Sequence, residues 1–324
     1  MPANCLFLAA MEEQQVYIHI GMPRSASTFL QNQVFGNLKG FDFKGLDESY
    51  YSKSFNQLQF SDDSFYQEKL VLDLVKTWDA EKLIISNENF IGQSIYFNHS
   101  NRSAIAKRLQ NIYPKASIVL VLRNQIDLLA SMYAINLQGN EVGTIDDFIW
   151  TPKDVNLDKG WGQGDSHFNT TMGYECLDGY DYSSLIRLYQ GLFMDVHVLL
   201  FEEMIDSPER FSVKLGQAIN ANPDEISTLL ETGSSMNHSV TEKQAKKLIR
   251  LNKYQDVFDQ TSIAGRGVQY MKRKVIKKST KGEKPMFSEA KRKALTEHFS
   301  PLNKQLAKIF PDLNLEKYAS EYYL

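Results

Sequence analysis

Apolar and polar positions along this chain alternate between two periods. Short runs rich in β-branched and aromatic residues occur at 16–20 (Val-Tyr-Ile-His-Ile), 82–86 (Lys-Leu-Ile-Ile-Ser), 116–122 (Ala-Ser-Ile-Val-Leu-Val-Leu) and 196–201 (Val-His-Val-Leu-Leu-Phe). Each is bounded by turn residues and reads as a strand. The run at 116–122 is continuously apolar, as expected of a central parallel strand covered on both faces. Between the runs the period changes to that of a helix. Leu30, Val34 and Phe35 recur at helical spacing, and Leu70, Leu74 and Val75 mark one face of a helix over 68–78. Further helices are predicted at 102–113, stopped by Pro114, and at 125–137, 182–194, 208–219, 223–231, 241–258 and 287–310. Two of them begin near prolines, Pro208 and Pro223, which suit a first helical turn. Residues 36–66 have no clear period and read as loop and short helix. Residues 138–180 hold many glycines with Trp150 and Trp161; a connection that long in a compact domain is usually functional. Strands alternating with helices predict an α/β fold, a three-layer sandwich around a central parallel sheet with crossover connections.

Composition narrows this picture without redirecting it. The chain has 324 residues, 43% apolar and 23% charged, which is ordinary for a soluble globular protein. A net charge of -3 offers no overall attraction to nucleic acid or to a membrane. Two cysteines, Cys5 and Cys176, cannot build a disulfide framework, so a reducing, cytoplasmic setting is expected. No apolar run approaches the ~20 residues that span a bilayer. Residues 1–14 read as a disordered extension without a basic leader, and 15–324 as one domain. Without a secretion signal, the Asn-x-Ser/Thr triplets at Asn98, Asn101, Asn169 and Asn237 are read as chance.

Candidate chemistry starts after the first strand. Gly21 and Pro23 break it, and the small-residue turn Ser25-Ala26-Ser27-Thr28 leads into Phe29 and a helix. Strand, tight hydroxylated turn and helix N-terminus form an anion cradle. The first helical N–H groups have no internal partner, and the macrodipole adds about half a positive charge. Arg24 stands at its lip with a guanidinium suited to phosphate or sulfate. The same residues could be an ordinary capping turn. Against that, a cap needs one hydroxyl where three stand in four positions, and a doubly wound sheet usually binds its nucleotide after the first strand. A nucleoside-triphosphate loop is not present: counted from Gly21, its second glycine would fall at Ala26 and its lysine at Ser27. The dinucleotide Gly-x-Gly-x-x-Gly pattern is absent too.

A second basic residue, Arg123, stands at the carboxyl end of another strand, where open α/β sheets bind ligands. It is followed by Asn124, Asp127 and Ser131, the last two one helical turn apart. Such an arginine could be a surface ion pair, or, with Ser131, could hold a phosphate. Residues 21–30, Gly-Met-Pro-Arg-Ser-Ala-Ser-Thr-Phe-Leu, resemble the 5′-phosphosulfate loop of the sulfotransferases that use 3′-phosphoadenosine 5′-phosphosulfate (PAPS). Residues 120–133 resemble their 3′-phosphate motif, an Arg and a Ser eight residues later, here Arg123 and Ser131. The segment from Tyr182 through Glu202 to Pro208 has the family's rhythm of helix, strand, acidic residue and helix, and the likeness covers about 16–240. Three positions depart from the pattern. Arg24 stands where many members carry Lys, and this Arg form resembles the branches acting on carbohydrates or on protein tyrosine. Ala26 replaces a usual Gly and Gln125 a common Pro.

The resemblance implies a P-loop-like phosphosulfate-binding loop and a PAPS-dependent enzyme. Its donor site would be made of Arg24, Ser25, Ala26, Ser27, Thr28, Phe29, Arg123 and Ser131, with Arg266 in a late Gly- and Lys-rich loop closing over the 3′-phosphate. The basic stretch 266–284 reads equally as a solvated face or mobile loop. Arg24 would stabilise charge on the leaving phosphate, and Glu88, just past the second strand, would be the general base; Glu88 could also be a solvated turn residue or a cap. His99 and His167 are reserve bases, and Trp161 with both histidines would line the acceptor cleft; core packing serves the tryptophan equally well. The expected acceptor is a hydroxyl of a carbohydrate or small polar metabolite. PAPS and its product PAP are the expected nucleotide partners, with no metal, nucleic acid or membrane, and a homodimer is compatible with this reading. The competing functions are a divergent P-loop nucleotide kinase and a non-catalytic nucleotide-binding protein of the same fold.

Overall fold

The four apolar runs form the strands of one sheet. A computed structural model describes residues 14–45, 53–92, 101–139, 143–150, 175–233, 240–255, 258, 261–277 and 282–318. Strands β1 (Gln15–His19), β2 (Asp42–Lys44), β3 (Lys82–Ser86), β4 (Ser117–Leu122) and β7 (Val196–Leu200) make a five-stranded sheet in the order β2-β3-β1-β4-β7. All its pairings are parallel. A second, two-residue parallel pair joins β5 (Ile149–Trp150) to β6 (Glu175–Cys176). Neither that pair nor β2 stands out in the sequence. Three residues, Asp42-Phe43-Lys44, are too few to display a period, so the region expected as loop and short helix also supplies an edge strand.

Alternation along the strands divides the interior into two layers. Val16, Ile18, Leu83, Ile85, Ile118, Leu120 and Leu122 enter one apolar cluster; Tyr17, Ile84, Val119 and Val121 enter the other. In β4 every residue from Ile118 to Leu122 is at most 1% exposed, so the strand is covered on both faces as its apolar run predicts. The fold is α/β, with helices on both sides of a parallel sheet. On one side lie α3 (Glu68–Val75), α4 (Arg102–Ile112), α5 (Gln125–Gly139) and α6 (Tyr182–Gln190). The other side is covered by the helical turns after β1, by α7 (Phe201–Asp206), α8 (Pro208–Ile219) and α9 (Pro223–Thr232). Farther along the chain come α10 (Glu242–Gln255), α11 (Ile263–Lys277) and α12 (Glu289–Ile309). The short α1 (Ser27–Phe29), α2 (Lys53–Phe60) and α13 (Leu315–Tyr318) complete the set named here.

Two expectations are corrected. The buried face of α3 includes Val75 and the half-buried Leu74 as predicted, but Leu70 is 40% exposed and Val71 takes its place in the core. The basic stretch from Arg266 is helical through Lys277 rather than a loop, despite Gly265 and Gly267. Among the described residues no helix is long and apolar enough to cross a membrane.

Gln125, which stands where the resembling family often has proline, has a structural role. Its Nε2 donates to Asn303 Oδ1 at 2.7 Å and its Oε1 accepts from Asn303 Nδ2 at 3.1 Å. Both side chains are fully buried. The reciprocal amide pair pins α12 onto the start of α5. Removing one partner strands the other's donor and acceptor in an apolar setting, which costs more than removing both. Gln125→Ala should lower stability to urea by about 2–3 kcal/mol, and Gln125→Leu with Asn303→Leu by clearly less than the sum of the single changes. Equal additivity in urea melts would show that the pair is not coupled.

Candidate functional site

In the strand order β2-β3-β1-β4-β7 the chain leaves β1 toward β2 on one side and leaves β4 toward β7 on the other. The crevice outside the carboxyl ends of β1 and β4 is therefore the topological switch point, where open α/β sheets bind ligands. Arg24 and Arg123 both stand there.

The loop after β1 is built to turn tightly. Gly21 has φ 42, and a Cβ on it would lie 2.7 Å from Ser27 Oγ and 3.0 Å from His19 Cε1, so no side chain fits. The Ser25 N–H donates to the Met22 carbonyl at 3.1 Å, and Ser27 Oγ donates to the same carbonyl at 3.2 Å. Two non-glycine residues are left-handed, Arg24 at φ 66 and Ala26 at φ 65. Ala26 is the N-cap of α1, so the position where the resembling family usually has glycine does require positive φ. Such strain of about 1–2 kcal/mol per residue persists where the surroundings over-determine it, which is typical of ligand-binding loops.

The surroundings are specific. Arg123 donates to the Arg24 carbonyl at 2.8 Å, tying the end of β4 to the loop. Arg24 Nε donates to Ser131 Oγ at 2.9 Å across 107 residues of sequence. The Arg123 guanidinium lies over the Phe201 ring at 4.6 Å, and its own carbonyl accepts from Tyr182 Oη at 2.7 Å. The Asn124 N–H donates to Glu202 Oε1 at 2.8 Å, which places the acidic residue of the segment after β7 beneath the same corner. Four buried polar atoms here, His19 Nε2, Ser25 Oγ, Arg123 Nε and Asn124 Nδ2, have no hydrogen-bond partner among the described residues. Buried polar groups are nearly always paired, and the donors Ser25 Oγ and Arg123 Nε are suited to a ligand oxygen.

A cavity of about 240 Å³ opens along α5 from this corner. Arg24, Arg123, Ser131 and Asp127 line it, together with Lys284 and Arg292 from the strap before α12 and its first turn. Its apolar wall includes Ile126, Ala130, Met286 and Phe287. Four cations face one carboxylate, a field suited to a multiply charged anion. Lys284 and Arg292 are the residues that sequence reasoning did not assign to the site. Lys284 lay within the basic stretch already singled out, but Arg292 had only its charge to mark it.

Glu88 follows β3 in a 3-10 turn, Glu88–Ile91, that is fixed on all sides. Asn87 N–H donates to the His19 carbonyl at 3.1 Å, and the Asn87 side chain caps the turn by accepting from Asn89 N–H at 2.9 Å. The Phe90 carbonyl accepts from Tyr189 Oη at 2.7 Å and the Ile91 carbonyl from Arg102 Nε at 2.6 Å. Burial pushes the Glu88 carboxyl above its ordinary range, and the nearby Arg24 guanidinium opposes that rise. Beneath the cradle, His19 Nδ1 meets Ser86 Oγ at 2.7 Å, and burial holds the imidazole neutral with a pKa of about 3.

The other predicted residues take varied places. Ser27 is buried, Thr28 exposed, and the Phe29 ring packs where a Cβ on Gly233 would stand, 2.7 Å away. Arg266 is exposed on α11 and is not part of the cavity lining. His99, Trp161 and His167 lie outside the described residues.

No known family's sequence profile matches the chain, and no curated protein matches it. Among solved structures it is similar to a sulfotransferase from Alicyclobacillus acidocaldarius, with 13% identity and a TM-score of 0.44 over 79% of this chain and 96% of that one.

Two stability measurements check this geometry. Ala26→Gly should raise unfolding stability by about 0.5–1 kcal/mol by relieving left-handed strain; a loss would show that the loop does not hold Ala26 at positive φ. Because the folded-state pKa of Glu88 is raised, ionising it weakens the fold as pH climbs through that value. Glu88→Gln should therefore raise the thermal midpoint near neutral pH, and the gain should vanish once the pH falls below the ordinary carboxylate range.

Proposed function

We propose that this chain is a PAPS-dependent sulfotransferase that moves a sulfuryl group to a hydroxyl of a carbohydrate or small polar metabolite, through one domain spanning 15–324. The observation that carries the reading is the convergence of the two motifs: Arg24, Ser131 and Arg123 are joined by direct hydrogen bonds at the switch point of the sheet. The unpartnered Ser25 Oγ and Arg123 Nε fit the phosphate oxygens of such a donor. Lys284 and Arg292 add charge for a second phosphate on the cavity wall. The donor supplies an activated sulfuryl group.

Each residue then has a physical task. The first N–H groups of α1 and the Arg24 guanidinium stabilise the negative charge that builds on the departing phosphate oxygen. Glu88, close enough to Arg24 to feel its charge, takes the proton of the acceptor hydroxyl. Its raised pKa makes it a stronger base once ionised, at the cost of requiring a higher pH to ionise. Ala26 and Arg24, held left-handed, give the turn its tight path into α1. A nucleotide kinase would need a lysine in this loop, and Ser27 occupies its place.

Calorimetric titration with 3′,5′-adenosine bisphosphate tests the donor site. Tight binding is expected, weakened by about 2–4 kcal/mol in Arg123→Ala, with feeble binding of 5′-AMP or ATP. A preference for ATP with magnesium would overturn the reading in favour of the kinase. With an acceptor in hand, Glu88→Gln should cut kcat by ~10²–10⁴ while nucleotide binding persists, and wild-type kcat should rise with pH through the raised Glu88 pKa. Binding with no turnover on a broad hydroxyl panel, unchanged by Glu88→Gln, would leave a pure nucleotide binder.

A further inference from the structure

Net charge hides a strong separation along the chain. Between 242 and 284 there are thirteen lysines and arginines against four acidic residues, Glu242, Asp256, Asp259 and Glu283. The whole chain carries 36 basic and 39 acidic residues, so the remainder is strongly acidic. Ten of the thirteen lie on α10 and α11, while Lys284 at the end of the stretch lines the candidate donor cavity.

The two helices pack through one side only. On α11 Gly265, Lys272 and Val275 are buried, and the Val275 carbonyl accepts from Gln244 Nε2 of α10 at 2.7 Å. The opposite face repeats at three- and four-residue spacing through Ile263, Arg266, Tyr270, Arg273, Lys274 and Lys277, which places them on one stripe. No acidic residue interrupts α11. Ile263 is 84% exposed and Tyr270 65%. Beside the stripe, Met271 and Lys274 of α11 and Lys243 and Lys247 of α10 line an open groove of about 810 Å³. Tyr254 and Phe258, near the end of α10, are exposed as well, among exposed Arg250 and Lys253. Other exposed apolar side chains, such as Met194, Phe65 and Ile205, are scattered over other elements and call for no partner.

We propose that the outer face of α11, with the end of α10, docks on the surface of an anionic lipid bilayer. The charge calls for an anionic partner, and the interleaved apolar side chains decide which one. Tyr254, Phe258 and Tyr270 would serve a nucleobase as well as a bilayer, but Ile263 and Met271 offer no aromatic face and no hydrogen-bond donor, so a soluble polyanion leaves them in water. At a bilayer the same pattern is satisfied twice: apolar side chains enter the boundary between headgroups and acyl chains, while lysines and arginines meet acidic headgroups. The proposed contact is with the bilayer surface; among the described residues no helix is long and apolar enough to cross a membrane.

Flotation of the full chain with vesicles of phosphatidylcholine containing about 30 mol% phosphatidylserine tests this, against pure phosphatidylcholine. Binding is expected to the anionic vesicles alone and should weaken steeply with added salt. Arg273→Glu with Lys274→Glu and Lys277→Glu should weaken it by at least ~10-fold. Ile263→Ser with Tyr270→Ser should also weaken it by at least ~5-fold, although the charge is unchanged. Both sets of positions are exposed, and unchanged circular dichroism and thermal midpoints establish that the variants fold. No binding to anionic vesicles overturns the proposal. Full binding by the Ile263→Ser, Tyr270→Ser variant overturns it in favour of a soluble polyanion such as nucleic acid. A dimer in solution that this variant alone dissolves, without loss of vesicle binding, assigns the face to a second copy of the chain and overturns it too.

Discussion

The hydrogen bond from Arg123 to the carbonyl of Arg24 sets the geometry on which the candidate site depends. Parallel pairing of β1 with β4 brings the two strand ends side by side, but pairing alone leaves the loop after β1 free to take many paths. A cation donated to a loop carbonyl selects one of them. It holds residue 24 in the left-handed region, where the side chain can reach Ser131 on α5 instead of pointing away from the sheet. The cation itself is held by the Phe201 ring, and its backbone by Tyr182, so elements from two further parts of the chain converge on one residue. The strain stored at Arg24 and Ala26 is thus opposed by tertiary contacts rather than by local propensity, the usual arrangement where a loop must be shaped before its ligand arrives.

How much of this could be read in the sequence follows from how local each feature is. The strand-to-helix cradle and the spacing of Arg123 and Ser131 are local patterns, although the side chain that Ser131 bonds to is Arg24, and the continuous apolar run of β4 announces two-sided burial by itself. The position of Glu88 at the rim is legible because parallel strands end on one side of a sheet. What escaped was decided across the fold. β2 is too short for a period, and its partner is a strand about forty residues later. Gln125 looked like a departure from a family pattern until Asn303, on the last long helix, supplied the other half of the amide pair. Arg292 is one charged residue among many near the start of a helix, and only the packing of α12 against α5 brings it to the cavity. The helical state of α11 was obscured by its glycines, and burial of Gly265 and Val275 against α10 overrides that weak propensity.

The same contrast separates the two basic regions. Cations at the cavity are few, come from four separate segments, and face groups that leave specific atoms unpaired. On α11 they are many, local and solvated, repeating with the helix. The first kind of pattern reads a particular anion in a fixed orientation; the second responds to a surface of charge without regard to orientation. Glu283 lines the groove on α10 and α11 and the next residue, Lys284, lines the cavity, so the strap before α12 belongs to both surfaces.

Arg24 shows why a lysine could not do the same work here. Its backbone carbonyl serves Arg123, its Nε serves Ser131, and its charge opposes the upward shift of the Glu88 carboxyl. A lysine could supply the charge and the carbonyl. It has no nitrogen partway along the side chain, so it cannot donate laterally to Ser131 while its terminal charge is directed elsewhere. The arginine therefore fixes the distance between the loop and α5, and with it the width of the crevice between them. In a loop whose lysine stood at the same point, that width would have to be set by another contact, and the link from Ser131 through Arg24 to the Glu88 carboxyl would be lost.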